Sequence, residues 1–227
     1  MDNLALFTCI LFILTTALAV IIFHKACFHS RNFIVITSVW LAIQAFLSIS
    51  GFYEKTDAVP SRFVFFAAPP LLFIFGLFIS PAGRNFIKKL DPGMLILLHT
   101  VRIPVEITLY LLFLNGEVPR LMTFAGGNYD ILSGLTAPLI YYYVFKRNGN
   151  SRNIILIWNV VCLGLLVYIA YHAILSAPSS FQRFAFDQPN TAILHFPYGW
   201  LPSFIVPLVF FSHLVIFKWC FQPRRNQ

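Results

Sequence analysis

Lys, Arg, Asp and Glu are scarce in this sequence. They make up 11% of its 227 residues, against about 25% in soluble domains. Apolar residues reach 59% and the mean hydropathy is +0.78, more apolar surface than a soluble domain of this length can bury. Cysteine is also rare, with four residues and no CxxC pair, which excludes a zinc knuckle, a dithiol redox centre and a disulfide scaffold. The nucleophile patterns GxSxG and SxxK are absent, as are HExxH and any comparable ligand spacing. The net charge of +8 does not point to nucleic acid, because the basic residues are scattered through short loops and form no stripe or basic helix face.

What remains is a succession of long apolar runs, at residues 4–23, 33–52, 63–80, 94–114, 131–145, 154–175 and 201–221. A helix needs about 20 apolar residues to cross a bilayer. The runs therefore predict an all-α polytopic membrane helical bundle of seven transmembrane helices forming one domain over residues 1–227. The fifth run is short and reaches spanning length only if Asn128, Tyr129 and Asp130 enter the outer interface. Ala17-Leu18-Ala19 imitates a signal-peptidase site, but no Lys or Arg precedes the first run, which continues to Phe23, so a retained helix is expected.

Loop charges set the direction. Alternate loops divide the Lys and Arg residues 11 against 4, with Lys25, Arg31, Arg84, Lys88, Lys89, Lys146, Arg147, Arg152, Lys218, Arg224 and Arg225 on the richer side. The acids lean the other way, with Asp2, Glu54, Asp57, Glu117, Asp130 and Asp187 opposite and Asp91 alone among the cations. The positive-inside rule then places the amino terminus outside and the carboxyl terminus in the cytoplasm. Adding or removing one helix would scramble this asymmetry.

The main polar signal lies in the fourth run. His99, Arg102, Glu106 and Tyr110 follow one another at intervals of three, four and four, which puts them on one helical stripe. A charge at bilayer depth costs on the order of 3 kcal/mol, so Arg102 and Glu106 are expected to face protein or water and, one turn apart, to pair with each other. Both a structural ion pair and a ligand or proton site are compatible with that spacing. Further candidates lie toward the outer side, where Asp130, His172, Arg183, Asp187 and His195 accompany two long loops, 115–130 and 176–200. Most rings of the second loop read as an interfacial aromatic belt; the alternative is a lid over an outward-facing cavity. His99 and His213 differ in depth by about 4.5 Å, close enough for paired haem ligation, but nothing else supports haem, and neither cofactor nor metal is expected. Prolines at 69, 70, 104, 138, 202 and 207 predict kinked helices whose freed carbonyls need partners.

Familiar seven-span families fit poorly. Retinal proteins carry a lysine deep in the last helix, where this sequence has only Lys218 at the inner edge. Small sugar carriers with a three-plus-one-plus-three plan place prolines symmetrically, whereas the first, second and sixth runs here have none. The segments RIPVEITLYLLF (102–113), NYDILSGLTAP (128–138), QRFAFDQPN (182–190) and FPYGWLPSFIVPLVFFSHL (196–214) resemble small multi-pass bacterial membrane proteins without an assigned activity. That resemblance implies a bacterial cytoplasmic (inner) membrane location and supplies no reaction. The expected function is binding of a small polar or amphiphilic ligand in an outward-opening intramembrane pocket, as a carrier or sensor, with the bilayer as the main partner. Alternatives are a membrane-embedded enzyme acting on a lipid, with Glu106 as acid or base and His172 or His195 near the headgroups, and an assembly helper whose polar stripe only packs helices.

Overall fold

A computed structural model describes residues 3–56, 62–147 and 152–222, so Asp2, Asp57, Arg224 and Arg225 of the charge asymmetry lie outside the described residues. Among those residues all regular structure is helical, without strands. The elements are α1 (Asn3–Ala26), α2 (Arg31–Ile49), α3 (Val64–Ile79), α4 (Pro81–Lys89), α5 (Pro92–Leu98), α6 (Arg102–Leu114), α7 (Ile131–Tyr141), α8 (Arg152–Ser176) and α9 (Val206–Cys220). A 3-10 turn at His99–Val101 joins α5 to α6, and π-helical turns at Tyr142–Lys146 and Leu201–Ile205 extend α7 and lead into α9.

Among the described residues five helices are long and apolar enough to cross a membrane: Asn3–Ala26, Arg31–Ile49, Pro92–Leu114, Arg152–Ser176 and Leu201–Cys220. The pair α3 and α4 makes a sixth if counted as one broken span, bent by 91°. The bend is written in three residues. Ser80 caps α4 by accepting from the Gly83 N–H at 3.1 Å, and Pro81 supplies the fixed first-turn φ of a new helix. Gly83 then folds back so tightly that a Cβ there would stand 2.3 Å from the Leu77 carbonyl oxygen. Helix α4 is amphipathic, with Gly83 and Ile87 buried and Arg84, Lys88 and Lys89 exposed.

The fifth run departs from expectation. Asn128, Tyr129 and Asp130 do not lengthen α7 but end a loop that doubles back along α6. The Asn128 amide reaches Glu106, which lies eight residues, or about 12 Å, below the end of α6 at Leu114. Helix α7 thus starts part-way down the bundle, and its eleven α-helical and five π-helical residues are short because the returning loop occupies the remaining height. Gly134 permits the contact, since a Cβ there would lie 2.8 Å from Ile103 Cγ1.

The proline kinks are closed by side chains of α2. Pro69 cannot donate to the Phe65 carbonyl, which instead accepts from Gln44 Nε2 at 3.4 Å; Pro207 likewise releases the Ser203 carbonyl, which accepts from Trp40 Nε1 at 2.9 Å. Gln44 Oε1 in turn accepts from the Tyr53 hydroxyl at 2.7 Å, and the Tyr53 ring stacks on Phe66.

The loops sort to two ends. At one end the Asp91 N–H donates to the Ala26 carbonyl, Arg152 bonds the Gln222 carbonyl and Lys218 lies over the Phe78 ring, gathering the basic loops. At the other end the two long loops are stapled together: Gln188 Nε2 donates to the carbonyls of Phe113 and Val118, and Thr191 and Ala192 N–H groups donate to the Glu117 carbonyl.

The Gln44 hub is expected to be sensitive. Gln44→Leu strands a proline-freed carbonyl and a buried phenol, and thermal unfolding in detergent should show a loss of about 1–3 kcal/mol, with Tyr53→Phe costing less. Unchanged stability of the Gln44 variant would mean that water serves both groups. Burial pushes the Tyr53 phenol up to about 12. The folded-state value is raised, so the stability contributed by the neutral phenol is complete below about 10 and is lost as pH rises toward about 12.

Candidate functional site

Four helices converge on one guanidinium. Arg102, at the start of α6, is 2% exposed. Its Nη1 lies 3.0 Å from Asp130 Oδ1 at the head of α7, an ion pair rather than a directed hydrogen bond, and donates to the Cys162 carbonyl of α8 at 3.2 Å. Its Nη2 meets His213 Nε2 of α9 at 3.0 Å. The pairing expected from helical spacing is therefore corrected, because Arg102 takes its counter-charge from α7 and forms no ion pair with Glu106. Glu106 accepts at Oε1 from Asn128 Nδ2, 2.7 Å away. A partner on another element approaches the guanidinium head-on, whereas a side chain one turn along the same helix lies beside it.

The donor-only character of arginine settles the state of His213. Its Nε2 must accept, so the proton sits on Nδ1 and is donated to Asn159 Oδ1 at 2.7 Å, while Asn159 Nδ2 donates to the His213 carbonyl at 3.1 Å. The same reasoning reaches His99. Ser212 spends its one hydroxyl proton on the Val209 carbonyl at 2.7 Å, so its Oγ accepts from His99 Nε2 at 3.0 Å, leaving His99 Nδ1 a bare acceptor without a partner. The two imidazoles lie 4.3 Å apart, ring centre to ring centre. They touch, and no porphyrin plane fits between them.

The remaining candidates separate into those near this cluster and those far from it. Arg102, Glu106 and Asp130 line a cavity of about 190 Å³ and are its only charged lining among the described residues. Its other walls are almost wholly apolar, drawn from the start of α3 (Phe66, Ala67), the second half of α8 (Leu166, Ile169) and the entry to α9 (Ile205, Val209). Ser179, Phe181, Asn190 and Ile193 complete it from the 176–200 loop, so that loop does lie against a cavity, though through none of its charged residues. Tyr110, on the same stripe as Arg102 and Glu106, stacks on Phe124 at 4.7 Å and does not line the cavity. His172 bonds the Tyr168 carbonyl of its own helix and stacks on Phe184. Arg183 and Asp187 are exposed, and His195 lies 3.6 Å from Glu54 at the surface of the far end. Asn128, Asn159 and Ser212 were invisible as site residues, since a single amide or hydroxyl in an apolar run carries no pattern.

Four polar atoms of this cluster have no hydrogen-bond partner, His99 Nδ1, Asp130 Oδ1, Arg102 Nε and Glu106 Oε2, and the last two pair a donor with an acceptor. Each such group costs about 1–3 kcal/mol when buried. A ligand group that both accepts and donates is suited to relieving those last two.

The geometry separates two double-mutant cycles. Arg102→Met with Asp130→Leu should show a coupling on the order of 1–3 kcal/mol in thermal unfolding, the double variant being milder than the summed single losses. Arg102→Met with Glu106→Leu should be close to additive. Stronger coupling in the second cycle than in the first would restore the pairing along α6.

A model of a family described as "Domain of unknown function (DUF8737)" matches residues 59–221, a stretch that contains the whole polar cluster and the cavity lining. No curated protein and no solved structure matches the chain. The match covers well over half of the sequence, and the chain belongs to the DUF8737 family.

Proposed function

We propose that this protein is a seven-span integral membrane protein of the bacterial cytoplasmic membrane that binds an amphiphilic small molecule, as a carrier or sensor, in the cavity floored by Arg102, Glu106 and Asp130. One observation carries the reading: three charged side chains, each at most 4% exposed, are the only charged lining, among the described residues, of an almost wholly apolar cavity. The ligand's apolar body lies along Leu166, Ile169 and Val209, and its polar end, a hydroxyl or an amine, meets Glu106 Oε2 and Arg102 Nε. Entry is from the outer side, past Phe63 and Phe181. The enzyme alternative gains no support, because His172 and His195 lie apart from Glu106 and the sequence holds neither a GxSxG nor an SxxK pattern.

The bilayer arrangement assigns seven crossings to α1, α2, the bent α3–α4 pair, α5–α6, α7, α8 and α9. The end that gathers Lys25, Arg31, Arg84, Lys88, Lys89, Lys146, Arg147, Arg152 and Lys218 faces the cytoplasm, which the bias of basic residues supports. Reporter fusions after Arg152 and after Gln227 should signal cytoplasm, and fusions within residues 176–200 should signal the exterior. A cytoplasmic signal from that loop would sink the arrangement.

Binding is tested with long-chain alcohols and alkylamines in a thermal-shift series. A saturating ligand should stabilise the protein by about 3 kcal/mol at a concentration of 100 Kd. Ala173→Phe, which fills the cavity, should abolish the shift and leave unliganded stability nearly intact, and Glu106→Gln should weaken the amine more than the alcohol. An unaltered shift in the filled variant places the ligand elsewhere. If the Arg102→Met and Asp130→Leu double variant recovers both stability and cellular activity, the cluster serves assembly alone.

A further inference from the structure

A second apolar site lies on the opposite side of α9, between α2 and α3. Helices α2 and α3 form its walls through Ile36 and Trp40 on one side and Pro70 and Phe73 on the other, and α9 closes the back with Leu208 and Phe211. The volume is about 500 Å³, within the ~300–1,000 Å³ typical of ligand clefts. Ile36 and Phe73 are 53% and 55% exposed, so the groove is open along its side. From Asn32 to Trp40 it follows α2 for eight residues, or about 12 Å, close to one leaflet's share of the ~30 Å hydrocarbon core.

One end of the groove is polar and basic, and the rest is not. Ser30 and Asn32 line that end, flanking the exposed Arg31. Phe86 of α4 also lines it, and the same short helix exposes Arg84, Lys88 and Lys89; Lys25 is exposed at the end of the neighbouring α1. None of these five cations takes part in an ion pair among the described residues. Asp91, the acid at this end, uses its carboxylate to cap α5 through the N–H groups of Gly93 and Met94. The 91° break after Ile79 turns α4 off the axis of α3, and Phe86, which lines the groove, stands two residues from both Arg84 and Lys88.

We infer that this groove is a binding site for an anionic glycerophospholipid, with one acyl chain along the wall formed by Ile36, Trp40 and Phe73 and the phosphate among Arg31, Asn32 and Arg84. Charge complementarity selects the occupant: an apolar slot of single-leaflet length ends in unpaired cations, which fits one anionic head group on one chain. An amphipathic helix lying against the boundary holds those cations at headgroup level. The site rests on the bilayer setting proposed above, but not on the ligand of the central cavity.

Native mass spectrometry of the full chain in mild detergent tests it, with dioleoyl phosphatidylglycerol titrated against dioleoyl phosphatidylcholine. One phosphatidylglycerol molecule should be retained per protein, on the order of tenfold more tightly than the zwitterionic lipid. Ile36→Trp, at an exposed position, should fill the slot and abolish retention while the melting temperature stays unchanged. The double variant Arg31→Gln, Arg84→Gln should reduce phosphatidylglycerol to the level of phosphatidylcholine. Equal retention of the two lipids by the wild-type chain overturns the headgroup assignment. Undiminished retention by Ile36→Trp shows that lipid adheres by surface charge alone and overturns the groove. A dimer that Ile36→Trp dissociates makes the groove a self-interface and overturns the lipid as occupant.

Discussion

The buried guanidinium of Arg102 organises the lower half of this bundle. A cation enclosed by helices must be met from several directions, and here α7 supplies a carboxylate, α8 a carbonyl and α9 an imidazole. Each contact constrains the next. Because His213 accepts from Arg102, its remaining proton points at Asn159, which clasps the α9 backbone in return. Removing the cation would leave a buried carboxylate and a misdirected imidazole, so the cluster acts as a unit rather than as a sum of pairs.

The demand for a carboxylate at that depth also explains the shape of the far end. Asp130 sits at the head of α7, and bringing it to Arg102 requires the preceding loop to descend along α6. Asn128 holds the descent by bonding Glu106 and the Met122 carbonyl and by accepting the Asp130 N–H. A shortened α7 follows. The long loops then close over the shortfall, and Gln188 and Glu117 staple them together, so their length reflects the filling of a gap as much as the presence of a site.

Helix α2 plays a different part. Of the five helices of spanning length it is the most sparsely buried, with Thr37, Gln44 and Ser48 its only buried residues. Yet Trp40 and Gln44 bond two carbonyls that prolines on other helices leave free. A peripheral helix thus repairs the kinks of α3 and α9, and in doing so stands off from α3 far enough to leave an open groove.

The helical class, the apolar stretches and the sorting of charge to two ends were legible in the sequence because each is a one-dimensional property: run length, composition and alternation along the chain. Arg102, Glu106 and Asp130 stood out by their rarity among apolar neighbours, whereas the sharp bend between α3 and α4 was not read from the third apolar run. Partnership was not legible. Periodicity says which residues share a face of one helix, so it joined Arg102 to Glu106. The choice of Asp130 depends on how α7 lies against α6, through a glycine whose missing Cβ permits the approach. Asn128, Asn159, Ser212 and His213 acquire roles only when separate helices bring their single polar atoms within 3.1 Å of a partner. Local sequence determined where helices form and where charge is tolerable, since those follow from propensity and solvation residue by residue. Tertiary structure alone decided which charge meets which, because a buried ion is satisfied by whatever the fold places before it.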